Sequence, residues 1–246
     1  DAALEADIEL TLSGSLATGG DLDAAVEALD RAEIRMAESH LPRAWTQRGA
    51  FIARSGNFER ALRLFADAEP KLVANADDVW LLRLLSNRAL VEAYGGKMQE
   101  AEADLRRALS IGRSLGLRAD VADTTHNLGW VRSRQGDIVG AIDLFDEAEA
   151  RLNALDYPLN ELLVDRAEVL LTARLLAEAT KTAARAVEEV QAHGNPIDVP
   201  EAWIMYARAA LAAGHADEAS LAAATAFEGF VGLDADQTEQ TNSIAA

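Results

Sequence analysis

Residues that could do chemistry are few and scattered in this sequence. Cysteine is absent, which excludes disulfides, thiolate metal sites and a cysteine nucleophile. No two histidines are spaced by three or four residues, and none stands in an HExxH motif, as a zinc site on one helix face requires. The four histidines are His40, His126, His193 and His215. The sequence therefore predicts no catalytic residue, no metal site and no cofactor, and we expect the chain not to be an enzyme.

Two further ligand motifs are incomplete or missing. No glycine-rich phosphate loop of the form GxxxxGK[ST] occurs. Asp234 and Asp236 resemble the start of a calcium loop, but Glu239 and Ala245 stand where that loop needs its glycine and its closing glutamate. This stretch is interpreted as a solvated tail.

The charge and hydropathy of the chain limit its partners. The formal net charge is −18 over 246 residues, so nucleic acid and anionic membrane surfaces are poor candidates. No apolar run approaches the roughly 18–20 residues needed to span a bilayer. The first residues have neither the basic nor the apolar region of a signal peptide, and the chain lacks an initiator methionine. We expect a cytoplasmic protein, and we interpret the chain as an excerpt or processed form of a longer one.

A helix, a glycine-bearing turn and a second helix recur along the chain. Glycine suits the left-handed end of the first helix, and a neighbouring Asp or Asn can cap the second helix. Placing each turn glycine at repeat position 15 starts the repeats near residues 6, 42, 82, 122, 160 and 200, which are 36 to 40 residues apart. The repeat at 160 has Arg174 in place of the glycine.

Two columns of this alignment contain alanine in all six repeats. Small residues at these positions allow neighbouring helices to approach closely, while larger residues at position 24 fill the gaps. Position 20 is Ala25, Ala61, Ala101, Ala141, Ala179 and Ala219. Position 27 is Ala32, Ala68, Ala108, Ala148, Ala186 and Ala226. Position 8 is small throughout: Ser13, Gly49, Ala89, Gly129, Ala167 and Ala207.

Together with tryptophan at position 4 of two repeats, these columns resemble the tetratricopeptide-repeat (TPR) family. The resemblance covers about residues 6–230 and is strongest from His126 to Ala148. It implies an all-α, right-handed superhelical solenoid of about six helix-turn-helix repeats over residues 1–230, followed at 231–246 by a polar tail or the start of another element. HEAT repeats share this repeat length but do not require the glycine and alanine columns.

The resemblance also implies a binding surface. In such solenoids, positions 2, 5, 9, 12 and 13 of each first helix line a concave groove, which binds a protein or peptide. The middle three repeats place cationic and aromatic residues there: Arg43, Arg54, Arg83, Tyr94, His126, Trp130 and Arg134. Arginine forks pair with carboxylates, and tyrosine and tryptophan offer large contact areas. We therefore expect an acidic partner segment, and we expect Arg54, Tyr94, Trp130 and Arg134 to form one continuous patch.

An alternative for these arginines is pairing with carboxylates on neighbouring helices. The same question arises for Arg48, Arg88 and Arg166, which occupy position 7, where leucine is usual and burial is expected. Such side chains either reach the surface or meet carboxylates between helices. The sequence does not decide between these possibilities, nor does it indicate an oligomeric state.

A narrower resemblance covers roughly residues 123–227. The strings HNLGWVRSRQGDIVGAIDLFDEAEARLNALDYP and NELLVDRAEVLLTARLLAEATKTAARAV are similar to the N-terminal repeat region of actinobacterial CHAT proteins, in which repeats precede a caspase-like peptidase domain. This resemblance implies that the chain is the sensing and regulatory arm of such a peptidase, whose catalytic His and Cys would lie elsewhere. The alternative is the effector domain of a transcriptional regulator with a separate DNA-binding domain.

Overall fold

The chain folds into α-helices separated by short turns. The computed structural model describes residues 2–193 and 198–244, with backbone only for residues 193 and 233–244, so the side chains of His193, Asp234, Asp236 and Glu239 and all of residues 245–246 lie outside the description. In the described ranges there are twelve helices and no strand. They are α1 (Ala2–Thr18), α2 (Leu22–Arg35), α3 (Leu41–Arg54), α4 (Phe58–Ala74), α5 (Asp78–Tyr94), α6 (Met98–Leu115), α7 (Arg118–Arg134), α8 (Ile138–Asn153), α9 (Asn160–Thr172), α10 (Leu176–His193), α11 (Asp198–Ala212) and α12 (Ala216–Ile244). The expected all-α repeat fold is confirmed.

The helices group into two compact units. Unit 1 is Asp1–Gln135 and contains α1 to α7, and unit 2 is Gly136–Ala246 and contains α8 to α12. Within each unit, consecutive helices pack as antiparallel neighbours, and the first helix of one pair also contacts the first helix of the next, as α3 contacts α5 and α9 contacts α11. The predicted array over residues 1–230 spans both units. The backbone of α12 continues through residues 231–244, the segment that the sequence assigns to a tail or a following element.

The turns between paired helices use one backbone geometry. Each contains a residue with a left-handed φ, between 80° and 91° at the five glycines of position 15 that follow α1, α3, α5, α7 and α11. The fifth repeat keeps this geometry without glycine, because Arg174 adopts a φ of 64°. Asn57 and Asp137 then cap α4 and α8, since each side chain accepts a hydrogen bond from a backbone N–H three residues later. The fifth repeat therefore keeps the turn conformation of the others although the glycine is missing.

The predicted alanine columns lie inside the packed helices. All twelve alanines at positions 20 and 27 are buried. The larger residues at position 24 are fully buried in the first four repeats, as Phe65 and Phe145 show, whereas Ala223 in the last repeat is exposed. At position 8, the small residues are buried in five repeats, and Ala207 is partly exposed. At Gly49 an added Cβ would lie 2.5 Å from the Phe65 ring, so this position needs glycine.

Enlarging a column alanine should destabilise the fold. Ala141 is fully buried on α8, so Ala141→Leu forces extra volume into a close-packed site and should reduce the free energy of unfolding by about 1–3 kcal/mol. Ala150→Leu is the matched control, because Ala150 lies on the same helix and is exposed. Urea unfolding of both variants measures the difference. Equal stability of the two variants would show that the repeat register is wrong.

The position-7 arginines form ion pairs between repeats. Arg48 donates to Glu33 at 2.9 Å and Arg166 donates to Glu149 at 2.8 Å. Arg88 donates to Glu69 at 2.6 Å and also holds Asp104 with two hydrogen bonds. The three glutamates all occupy position 28, on the second helix of the preceding repeat. The arginines thus link successive helix pairs, which answers the question that the sequence left open.

A second arginine completes two of these clusters. Arg107 contacts Glu69, and Arg185 donates to Glu149 at 2.7 Å, each from position 26 of the following repeat. Burial alone would raise the pKa of the Glu69 carboxyl, but hydrogen bonds from Arg88 and Arg107 outweigh it and hold that pKa below its ordinary value. The carboxylate stays ionised at neutral pH and fixes both arginines.

Positions 28 and 7 change together along the chain. Where position 28 is glutamate, position 7 of the next repeat is arginine. Where position 28 is Leu109, position 7 is Leu128, and where it is Val187, position 7 is Tyr206. Leu109 and Leu128 are both buried. At every junction, positions 28 and 7 therefore carry either opposite charges or two apolar or aromatic side chains, and never an unmatched charge.

Candidate functional site

Three aromatic rings and one guanidinium form a continuous row on unit 1. The rings of Phe58 and Tyr94 stack with centroids 5.9 Å apart and an interplanar angle of 12°. The Tyr94 and Trp130 rings lie 5.2 Å apart at 49°, and the guanidinium carbon of Arg134 lies 5.8 Å from the Trp130 ring centroid. We call Phe58, Tyr94, Trp130 and Arg134 the aromatic–arginine surface. It crosses three successive repeats.

The repeat geometry positions each member of this surface. Phe58 is the first residue of α4, directly after the capping Asn57, and Tyr94 is the last residue of α5. Trp130 and Arg134 are four residues apart on the last turn of α7, so they share one helix face. The row therefore follows the edge where first helices end and second helices begin. Sequence reasoning missed Phe58, because the predicted stripe used first-helix positions only.

The surface presents an unpaired cation beside exposed aromatic area. Arg134 is exposed and lies against the Trp130 ring, and no carboxylate in the described part of the chain forms an ion pair with it. Tyr94 is 65% exposed, while Phe58 and Trp130 are half-buried. Stacking on Trp130 holds the guanidinium plane in place and leaves its N–H groups free to donate to a carboxylate.

Two predicted groove residues do not join this row. Arg54 is exposed, but its guanidinium donates to the Ala17 carbonyl at 3.0 Å, at the end of α1, and contacts none of the three rings. His126 is buried, as is Thr46 at the same repeat position, so this position contributes to packing between helices instead of the exposed surface. Of the four residues expected to form one patch, the structure brings together Tyr94, Trp130 and Arg134, and Arg54 lies apart from them.

Arg43 and Arg83 lie at the opposite ends of their helices from this row. Arg43 donates to Asp77 at 2.6 Å, which neutralises its charge, as the alternative interpretation of the arginines proposed. Arg83 is exposed and lies 4.9 Å from the Trp80 ring centroid, and no carboxylate in the described residues pairs with it. Arg83 therefore repeats the arginine-on-tryptophan arrangement at a separate place.

The Glu92 carboxylate, near the aromatic–arginine surface, lies in an environment that disfavours its charged form. Glu92 lies two residues before Tyr94 on α5, and one of its carboxylate oxygens is buried without a hydrogen-bond partner among the described residues. Burial first, and then the negative charge of Asp104, raise the pKa of the Glu92 carboxyl above its ordinary value, although Arg88 opposes this. At neutral pH the charged Glu92 therefore weakens the folded state.

Replacing Glu92 should stabilise the protein in a pH-dependent way. A raised pKa means that the folded state binds the proton more tightly than the unfolded state, so stability falls as pH rises from the ordinary glutamate value through the folded one. Glu92→Gln should therefore add about 0.5 kcal/mol at pH 7, a modest figure because solvent partly screens this side chain. Thermal melts of both proteins between pH 3.5 and 7.5 should converge at the acid end. A constant difference across this range would contradict the explanation.

In unit 2, position 2 of the two repeats that start at 160 and 200 is a glutamate, Glu161 and Glu201, whereas the second and third repeats have Arg43 and Arg83 there. Burial first, and then Asp198, Asp165 and Glu161, raise the pKa of the Glu201 carboxyl.

Among the described residues no group of three or more acidic or histidine side chains is arranged to hold a metal ion. None of the helices in the described ranges combines the length and the apolar character of a membrane-spanning segment.

The similarities of this chain to known proteins concern its helical repeats. Residues 80–154 match the tetratricopeptide-repeat family profile. No curated protein matches the sequence. Among solved structures, BtubC from P. vanneervenii superposes with a TM-score of 0.66 and 19% identity, covering 88% of this chain and 91% of that one.

Two other solved structures contain bound peptides. The Rap conjugation gene regulator of plasmid pLS20, in complex with the Phr* peptide, has a TM-score of 0.72 and 18% identity over 89% of this chain and 62% of its own. NprR in complex with its cognate peptide NprX has a TM-score of 0.71 and 13% identity over 93% and 68%. At these identities the likeness concerns the fold. The chain therefore has the all-α repeat fold of tetratricopeptide-repeat proteins, and residues 80–154 carry tetratricopeptide repeats.

Proposed function

We propose that this chain is a protein-interaction scaffold whose aromatic–arginine surface binds a peptide or protein segment containing an acidic residue. The observation that carries the proposal is the position of Arg134, exposed and stacked on Trp130, with no carboxylate partner in the described part of the chain. In a chain with a net charge of −18, an arginine left unpaired beside the half-buried Trp130 ring and near the exposed Tyr94 ring is available to a ligand.

The three rings indicate which side chains the ligand should carry besides its acidic residue. Tyr94 and Trp130 supply a broad apolar contact whose side chains have few rotatable bonds, so little conformational entropy is lost on binding. An apolar or proline side chain over Tyr94, next to a carboxylate on Arg134, satisfies both parts of the surface. The proposal gains support from two proteins of the same fold that were solved with peptides bound, Rap with Phr* and NprR with NprX.

We propose a non-catalytic role in the cytoplasm. The sequence contains no cysteine, and its four histidines are dispersed. His126 is buried, and His215 lies 3.7 Å from Glu218 at the start of α12. Absence of cysteine is consistent with a reducing compartment.

A narrower proposal follows from the resemblance of residues 123–227 to CHAT repeat regions. In this proposal the scaffold is the regulatory arm of a caspase-like peptidase, and ligand binding on unit 1 controls that enzyme. The alternative is the effector domain of a transcriptional regulator. Sequencing the gene beyond codon 246 distinguishes them, since a caspase-like domain supports the first and a basic helix-turn-helix domain supports the second.

Affinity capture tests the general proposal. The wild-type chain, Arg134→Glu and Arg83→Glu are immobilised in parallel, and captured proteins are identified by mass spectrometry. We expect a partner with an acidic segment that the wild type and Arg83→Glu retain and that Arg134→Glu loses. Arg83→Glu is the matched control, because Arg83 is also an exposed arginine on a tryptophan. A partner set identical for all three proteins would refute the proposed surface.

A further inference from the structure

Unit 2 has an open apolar groove between α11 and α12. Its volume is about 560 Å³, and its walls are formed mainly by Ile204, Leu211, Ala223, Phe227 and Phe230. Most of these side chains are exposed, and among the described residues no helix covers them. The groove lies on different helices from the aromatic–arginine surface.

The two phenylalanines of the groove have buried counterparts in the preceding repeat. Phe227 and Phe230 occupy positions 28 and 31, the positions of Val187 and Val190 one repeat earlier. The two valines are only 6% and 3% exposed, whereas the phenylalanines are 69% and 45% exposed. The same two positions on successive second helices are therefore covered in one repeat and open in the next.

The earlier groove is filled by a helix. Between α9 and α10, Met205 and Ala209 of α11 pack against small residues of the wall, including Ala167 and Ala183. The equivalent wall residues between α11 and α12 are Ala207 and Ala223, and both line the open groove. Walls of equal register and similar chemistry accept the same kind of occupant.

We propose that the α11–α12 groove binds an amphipathic helix of a partner protein, seated as α11 is seated on α9 and α10. The match of register positions favours a helix over an extended segment. A second copy of this chain is a poor occupant, because the α11 side chains that would enter the groove, Met205 and Ala209, are already buried in their own unit.

Charge adds one requirement for the bound helix. Arg208 lines the groove, and it donates to Glu168 at 3.2 Å, the residue at the same position of the preceding first helix. Side chains at position 9 of successive first helices therefore meet. A helix seated in the groove should carry an acidic residue there, one place before the small residue that corresponds to Ala209, to reach Arg208.

A synthetic helix tests the proposal directly. The probe is a fluorescent, helix-stabilised peptide with the α11 sequence, residues 198–212, carrying Arg208→Glu. Fluorescence anisotropy should show saturable binding to the wild-type chain. In the protein, Phe227→Asp should weaken binding at least tenfold. Leu221→Asp, at a similarly exposed apolar residue on α12 outside the groove, should change it less than twofold. The peptide with the native arginine should bind more weakly than the glutamate version.

Three results would overturn the proposal. They are no saturable binding to the wild-type chain, equal binding by Phe227→Asp, and light scattering that shows a wild-type dimer converted to a monomer by Phe227→Asp. The last would identify a second copy as the occupant. The inference does not depend on the proposed function, since Arg134→Glu should leave peptide binding to this groove unchanged. Circular dichroism of each variant confirms that the exposed substitutions leave the helices folded.

Discussion

Arg134→Glu is expected to weaken binding of an acidic segment by at least about 30-fold, equivalent to roughly 2 kcal/mol. Two effects combine in this variant. The guanidinium that donates to the ligand carboxylate is lost, and a carboxylate is placed against another carboxylate. Arg134 has no carboxylate partner in the described residues, so its replacement leaves no protein charge unpaired, and the fold should remain stable. Calorimetric titration of the captured segment measures the loss.

The ring contacts should respond differently to salt. Trp130→Ala removes both an apolar contact with the ligand and the face on which Arg134 stacks, so affinity should fall by about tenfold or more. Because much of this loss is apolar, the ratio of wild-type to Trp130→Ala affinity should change little between 50 and 300 mM salt. The corresponding ratio for Arg134→Glu should shrink as salt screens the charges.

Two arginines serve as controls for the location of the site. Arg83→Glu makes the same charge reversal on another tryptophan face, at the far end of α5 from Tyr94, and should retain most of the affinity. Arg54→Glu should have an intermediate effect, because Arg54 is exposed but donates to the Ala17 carbonyl. If Arg83→Glu abolishes binding while Arg134→Glu does not, the ligand occupies the other end of the first helices.

Much of the fold could be predicted from the sequence because tight packing restricts residue types. A position fully buried between three helices accepts only a small side chain, so the alanine columns at Ala141 and Ala148 are visible without a structure. The turns are nearly as constrained, yet Arg174 shows that a left-handed φ can occur without glycine when the flanking helices impose it. The repeat register can still be assigned in such a case, because the alanine columns define it.

The candidate site could be predicted only in part. Helix periodicity places Tyr94, Trp130 and Arg134 on one stripe. It does not show which positions of that stripe the neighbouring helix pair covers, and His126, on the same stripe, is buried. Phe58 was missed because it belongs to a second helix, and only stacking of the repeats brings its ring to Tyr94. Ring contacts across repeats depend on the stacking geometry, which a single periodic pattern does not contain.

The ion pairs between repeats could have been found in the sequence. Glutamate at position 28 is followed by arginine at position 7 of the next repeat in three junctions, while Leu109 is followed by Leu128. Paired substitution within one chain indicates contact, just as it does between related proteins. Taken alone, position 7 presents a charge where burial is expected; taken with position 28, it presents a matched pair.

Replacing one partner of such an ion pair should reduce the free energy of unfolding more than replacing both partners. Arg166 and Glu149 are 19% and 17% exposed, and each is bonded to the other at 2.8 Å. Arg166→Leu leaves the Glu149 carboxylate poorly solvated, with Arg185 as its remaining partner, and should reduce the free energy of unfolding by about 2–3 kcal/mol. This is below the roughly 3–5 kcal/mol typical of a fully buried pair, because Arg185 still neutralises part of the charge.

Replacing both partners by leucine should restore most of that loss. The double variant Glu149→Leu with Arg166→Leu reproduces the chemistry of the Leu109 and Leu128 junction, which the chain already uses. The groups left behind, Asp146 and Arg185, are 58% and 43% exposed and remain hydrated. We therefore expect the double variant to lie within about 1 kcal/mol of the wild type. Urea unfolding of the four proteins gives the coupling energy. If the two single losses simply add in the double variant, positions 28 and 7 do not act as a pair, and their joint variation along the chain has another cause.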